Sequence, residues 1–160
     1  MAVKYIDFKG KALWCRPWPD MVDRMYEDER RGGNWSTKLI VDNDTLKVFN
    51  ALGSRAKAQR IEDLKKTDGL EDYLNARFIT LRRYERTSSG SELPPLKVIG
   101  VDPGTAIGNL SDLTCTVEHY TTEFQSKPVV GLRLVSIRID NLIPYVKPVA
   151  IEAGNDPLPF

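Results

Sequence analysis

The chain has 160 residues, 41% of them hydrophobic and 28% charged, with a formal net charge of +1. That length suits one domain with a true core, hiding roughly two-thirds of its unfolded surface, and the near-neutral balance leaves bulk charge silent about partners. No stretch has the basic start and apolar run of a secretory signal, and none approaches the roughly eighteen apolar residues that span a bilayer, so the sequence reads as a cytoplasmic protein without a membrane partner.

From Tyr5 to Trp18 the chain is aromatic-rich and loosely alternating, which predicts a long first strand with a bend at Gly10. Residues 19–34 are charged, end in Arg30-Arg31-Gly32-Gly33-Asn34, and read as a flexible connection into a second strand over Trp35–Val41, paired with the first as a long-looped hairpin. Asp42-Asn43-Asp44-Thr45 offers helix caps ahead of Leu46, Val48, Phe49 and Leu52, and Gly53 stands where a helix end takes a left-handed residue. A short helix is therefore expected there. Residues 54–66 then set Arg55, Lys57, Arg60, Lys65 and Lys66 against Glu62 and Asp63, a basic connection.

A third strand is read over Tyr73–Tyr84, where Phe78, Ile79 and Leu81 stand beside Arg77, Arg82 and Arg83. The block 77–86 holds four arginines against one acid, Glu85. Local patches of this kind bind polyanions even on a near-neutral protein, although each block alone also reads as solvated surface. After a Ser-Ser-Gly-Ser turn and Pro94-Pro95 comes a short strand, Leu96–Val101, and then an ordered loop marked by Pro103-Gly104 and Gly108-Asn109. Two closing strands are expected at Leu113–Phe124 and Gly131–Val146, joined through Lys127-Pro128. Cys15 and Cys115 both fall in strands among apolar neighbours and read as small buried hydrophobes with reduced thiols. Five or six strands with one short helix predict a mainly β fold, a small curled barrel of the oligonucleotide-binding kind over residues 1–146. From Lys147 onward three prolines break regular structure, so 147–160 is expected to be a flexible tail.

Single-stranded nucleic acid is held without sequence preference by a basic groove that tracks phosphates and by aromatic side chains on which bases stack. Both ingredients occur together here. Trp14, Trp18 and Trp35 lie on or beside the first two strands with Lys11, Arg16 and Lys38, while Phe78 and Tyr84 share the third strand with Arg77, Arg82 and Arg83. Residues two apart in a strand share a face, which groups Trp14 with Arg16, and Arg82 with Tyr84 and Arg86, unless a bulge intervenes. Each of these aromatics has a core reading as well as a groove reading. An enzyme finds little to work with. His119 has no Cys or His at metal spacing, Asp102-Pro103-Gly104-Thr105 reads as a turn, and Gly104–Gly108 lacks the Gly-Lys-Ser or Gly-Lys-Thr end of a phosphate-binding loop. No catalytic group, metal ligand set or cofactor is assigned, and a metal-dependent nuclease is the weakest of the alternatives.

The order of motifs resembles the single-stranded-DNA-binding proteins of tailed phages. It is carried by Lys9-Gly10-Lys11-Ala12-Leu13-Trp14, by Trp35-Ser36-Thr37-Lys38-Leu39 running into Asp42–Gly53, and by Arg82-Arg83. Ile107-Gly108-Asn109-Leu110-Ser111-Asp112 and Gly131-Leu132-Arg133-Leu134-Val135 complete it, with Leu110 standing where a second glycine is common. The resemblance implies an oligonucleotide-binding barrel that coats replication, recombination or repair intermediates in the host cytoplasm. It makes Lys11, Trp14, Arg16, Trp18, Trp35, Lys38, Arg77, Phe78, Arg82, Arg83 and Tyr84 the DNA-binding candidates. The end of the chain, Leu158-Pro159-Phe160, is similar to the tips of bacterial single-stranded-DNA-binding proteins, which recruit replication and repair enzymes; here the tail acids are only Glu152 and Asp156. An aromatic next to a terminal carboxylate is a known recognition mode, so Leu158, Pro159 and Phe160 are the candidates for a partner contact. A homo-oligomer is compatible with the sequence. The competing reading is a structural or adaptor β-protein of a phage particle, in which the tryptophans are buried and the arginines pair with acids.

Overall fold

The computed structural model describes residues 4–145, and the tail expected over 147–160, with Leu158, Pro159 and Phe160, lies outside the described residues. Eight strands and one α-helix follow in chain order: β1 (Lys4–Arg16), β2 (Asp23–Asp28), β3 (Gly32–Val41), α1 (Asn43–Ala51), β4 (Gln59–Arg60), β5 (Arg77–Tyr84), β6 (Lys97–Ile99), β7 (Asp112–Phe124) and β8 (Lys127–Asn141). The strands form one mixed sheet in the order β4-β5-β3-β1-β7-β8-β6, with β2 added on β3. Every pairing is antiparallel except that of β6 with β8.

The mainly β architecture and the single helix match expectation, while the strand count is higher. β2 and β4 lie in segments whose charge made them read as connections, because their partners rather than their own composition hold them in the sheet. β5 begins four residues later than expected: Gly69 takes a left-handed φ of 80°, and Tyr73 closes a short 3-10 turn over Glu71–Tyr73. The β7–β8 hairpin turns at Gln125 and Ser126, both at positive φ (53° and 65°), two residues before Lys127-Pro128. Two consecutive left-handed residues suit the right-handed twist of the flanking strands, and no glycine or asparagine advertises the turn.

The sheet curls around a core built from alternating inward residues: Phe8, Ala12 and Cys15 of β1, Leu39 and Val41 of β3, Ile79 and Leu81 of β5, Leu113, Cys115 and Val117 of β7, and Leu134, Ile137 and Ile139 of β8. Helix α1, capped by the Asp42 carboxylate accepting from the Thr45 N–H, drops Phe49 into this core against the Phe8 ring, edge to face with centroids 5.9 Å apart. Gly53 follows at φ 75°, as its place after the helix requires. Both cysteines are buried free thiols, and desolvation pushes the Cys15 pKa up to about 11 and that of Cys115 further upward.

The ladder is not continuous all the way round. β5 and β8 face each other without strand pairing, and the inward Arg83 bridges them: its Nη1 donates to the Leu134 carbonyl at 3.0 Å and its Nε to the Pro94 carbonyl at 3.0 Å. On the outer side of β1, β3 and β5 a second, smaller apolar cluster forms. There residues 61–76 lay Ile61, Leu64, Leu70, Tyr73 and Leu74 over Leu13, Ile40 and Phe78. This lid covers only one end of the outer face.

Two outcomes follow. Ile61→Ala should cost about 2 to 5 kcal/mol in denaturant unfolding, since Ile61 is wholly buried at the centre of the lid. Arg83→Lys should cost on the order of 1 to 3 kcal/mol, because one ammonium cannot satisfy two carbonyls set for a planar guanidinium; a thermal melt checks it.

Candidate nucleic-acid interface

Cross-strand register lays out the outer face as rows: Lys11–Ile40–Phe78, Leu13–Lys38–Thr80, Arg16–Ser36–Arg82 and Asn34–Tyr84. The lid claims the first row. What remains open is the Lys38–Thr80 part of the second row, whose Leu13 lies under the lid, and the rows built on Ser36 and Asn34, flanked by Arg16, Arg82 and Tyr84. The Lys38 amine rests 5.5 Å from the centroid of the Phe78 ring and reaches Thr80 Oγ1 at 3.4 Å. Burial, and then the charge of Arg82, lower its pKa from the ordinary lysine value. Beside β5, Ser54, Ala56, Lys57 and Gln59 form the other wall of a hollow of about 450 Å³ floored by Thr80, Arg82 and Tyr84. Arg16 and Arg82 have no carboxylate partner among the described residues.

Trp14 owes its position to a bulge. Leu13 pairs with Lys38 but Arg16 pairs with Ser36, so one extra residue is accommodated, and Trp14 takes a φ of 48°. A left-handed non-glycine residue costs about 1 to 3 kcal/mol and persists only where its surroundings hold it. Here the Trp14 N–H donates to Asn109 Oδ1 at 2.8 Å, the Leu110 N–H to the Ala12 carbonyl at 2.7 Å, and the Ala12 N–H to the Ser111 carbonyl at 2.8 Å. Leu110 itself sits at φ 73°, which is why a glycine would fit that place. The Gly-Asn-Leu-Ser motif is thus the clamp that leaves the Trp14 indole 42% exposed, in one hollow with Arg16, Met21, Ile107 and Tyr145.

Several sequence candidates fall elsewhere. Phe78 is buried under the lid and Arg83 points into the interior, so neither lines the groove. Trp35 packs on the core and donates its Nε1–H to the Trp18 carbonyl at 3.0 Å, and Trp18 donates its own to the Thr105 carbonyl at 2.7 Å. This relay ties β3 to the 17–21 and 102–105 turns and leaves both indoles half-buried. Lys11 is paired with Asp112 at 2.9 Å, in a separate hollow with Lys9, Tyr73 and Asp140. Arg77 is exposed at the lid end of β5, opposite Arg60 of β4. Of the expected set, Trp14 and Arg16 share one hollow, Arg82 and Tyr84 share another, and Arg16, Lys38 and Arg82 stand in the same or neighbouring rows of the register.

Other side chains join them that strand reading did not single out. Arg31 stacks on Tyr84 at 3.9 Å and Arg133 on Tyr120 at 4.6 Å. Tyr120 lies opposite Gly131, where its ring fills the space a β-carbon would need, so the glycine of Gly-Leu-Arg-Leu has a packing reason. Knowledge of the Gln125–Ser126 turn alone would have paired Tyr120 with Gly131 and Glu118 with Arg133. His119 Nε2 is buried and finds no hydrogen-bond partner among the described residues, and Asp102 serves its turn by accepting from the Thr105 N–H and hydroxyl.

A curled, open, mainly β sheet with one helix and a half-covered outer face defines an oligonucleotide-binding-like fold. Solved structures of that shape include gp2.5, a single-stranded DNA binding protein encoded by bacteriophage T7, at TM-score 0.57 and 12% identity over 99% of this chain and 100% of that one. The single-stranded DNA-binding protein from bacteriophage Enc34, in complex with single-stranded DNA, matches at TM-score 0.52 and 11% identity over 89% of each chain. The Enc34 protein without DNA matches at TM-score 0.51 and 9% identity, over 94% of this chain and 88% of that one. No protein-family model and no curated protein sequence matches the chain.

Asn109→Ala should lower stability by about 1 kcal/mol in denaturant unfolding, the net value of one hydrogen bond, whereas Asn109→Asp, which keeps the acceptor, should retain most of it.

Proposed function

We propose that this chain is a non-enzymatic, largely sequence-independent single-stranded-DNA-binding protein of the phage type, coating replication and recombination intermediates. The observation that carries this reading is the open end of the outer face: Arg16, Lys38 and Arg82 lie in adjacent rows, and the exposed Trp14 and half-buried Tyr84 flank them. The cations supply phosphate contacts and the aromatics supply stacking platforms that tolerate any base. The narrow strip between lid and seam admits a single strand, whose bases reach the sheet, better than a duplex with its bases turned inward. The fold likeness to two phage proteins described as single-stranded-DNA-binding supports the same reading. Recruitment of replication or recombination proteins through Leu158, Pro159 and Phe160 belongs to it as a second activity of the tail.

The test is a tryptophan-fluorescence titration with a poly-thymidine strand of about thirty bases, with the matching duplex, and at two salt concentrations. Saturable quenching by the single strand, weaker for duplex and reduced by salt, is expected. Trp14→Ala should remove most of the quenching, since Trp18 and Trp35 are tied into the fold, and should weaken binding by about 1 to 3 kcal/mol. Arg82→Gln should shallow the salt slope by about 0.7. Absence of any response at low salt would sink the proposal and favour a structural role in a phage particle.

A further inference from the structure

At the seam where β5 meets β8 without a ladder lies a cavity of about 70 Å³ lined by Arg31, Arg82, Arg86 and Arg133 with Tyr84 and Tyr120, and closed by Thr87, Ser88 and Leu132. No carboxylate lines it. Two of the four cations have acids beside them: Glu118 accepts from Arg133 Nη1 at 3.0 Å, and Asp28 lies 4.0 Å from Arg31 Nε while accepting from the amides of Arg30 and Arg31; Glu85 is taken by Arg24 and the Gly33 N–H, and Arg82 and Arg86 have no carboxylate partner among the described residues. Four guanidinium groups against two acids leave a net positive charge around one small space, carried by Arg82 and Arg86, and an anion of matching size offsets it. The groups are also held in advance. Arg31 is stacked on Tyr84, Arg133 on Tyr120, and Arg86 Nε donates to the Arg30 carbonyl at 2.7 Å, so little side-chain entropy remains to be lost on binding.

We infer that this cavity is a seat for one phosphodiester of a single strand, and that it carries the strand across the seam from the β3–β5 face onto the β7–β8 hairpin. The inference rests on the single-strand reading above and extends it to residues which that reading does not use. Continuity supports it: Arg82 and Tyr84 line both the open hollow and the seam cavity, so a strand lying along the former reaches the latter without a gap. The volume holds a few waters or one dehydrated phosphate, and is too small for a base. Guanidinium forks match the paired oxygens of a phosphate, which favours that anion over chloride.

The experiment compares wild type with Arg86→Gln and Arg133→Gln, using thymidine strands of about six and about twenty bases, each with and without a 5′-phosphate, over a series of salt concentrations. Arg86→Gln leaves the Glu118 pair untouched, so it remains informative if loss of Arg133 disturbs folding. For the long strand each variant should reduce the slope of log affinity against log salt by about 0.7, equally for both kinds of end, with tryptophan quenching at saturation preserved. Unchanged slopes in both variants, with wild-type binding intact, would overturn the seat and leave the single-strand reading standing. A change confined to 5′-phosphorylated strands would overturn the crossing path in favour of end capture. Failure of the wild type to bind any strand would remove both readings together.

Discussion

Arg83 carries a full charge into the interior at the place where the sheet fails to close, and much of the molecule is arranged around that gap. Strand pairing would have satisfied the facing carbonyls of a closed barrel; here the Leu134 and Pro94 carbonyls receive guanidinium N–H groups instead. Burial, with a smaller effect from Arg133, holds the Arg83 pKa below the ordinary arginine value. A planar fork bridges two backbones that a hydrophobic side chain would only have filled. Because the seam is pinned by a side chain and not zipped by a ladder, the outer surfaces of β5 and β8 stand apart, and the arginines and tyrosines above Arg83 have room to surround a cavity.

The lid sets the other boundary. Residues 61–76 spend their apolar side chains on Leu13, Ile40 and Phe78, and so convert half of an outward sheet face into a second core. The remaining half cannot be apolar without inviting aggregation, and it is populated by Ser36, Lys38, Thr80 and Arg82. Between lid and seam the usable strip is three strands wide. The bulge at Trp14 adds an indole at one margin, and the hairpin adds Arg133 on Tyr120 at the other. Function on this reading is a consequence of incomplete coverage: the fold hides enough apolar surface to be stable and leaves one polar, cationic strip unpaired.

The motifs that carry the resemblance in sequence acquire separate physical roles. Gly108-Asn109-Leu110-Ser111 is a clamp for β1, using the Leu110 N–H, the Ser111 carbonyl and the Asn109 amide oxygen, while the Ser111 hydroxyl bonds Gly108 and Ile143. Gly131 makes room for Tyr120. Trp35 and Trp18 form a hydrogen-bonded strut. None of these touches the open strip except through Trp14, which explains why a set of weak motifs identifies the fold more readily than the binding residues.

Taken alone, the sequence determined the long strands, the capped helix and its terminal glycine, and the clustering of cations with aromatics. Those features depend on neighbours along the chain, through pleat, cap chemistry and hydrophobic period. The tertiary structure decided which side of each strand stays wet. Phe78 and Arg82 lie on one face of β5, yet the first is sealed by a lid that begins some fifteen residues earlier, and the second is left open. Arg82 and Arg83 are adjacent, yet the pleat sends one to the strip and the other to the seam. Two left-handed residues moved the hairpin turn and set the register that joins Tyr120 to Arg133. Such outcomes rest on contacts between segments distant in the chain, where the free energy of covering a surface depends on what arrives from elsewhere, and local composition carries no record of that arrival.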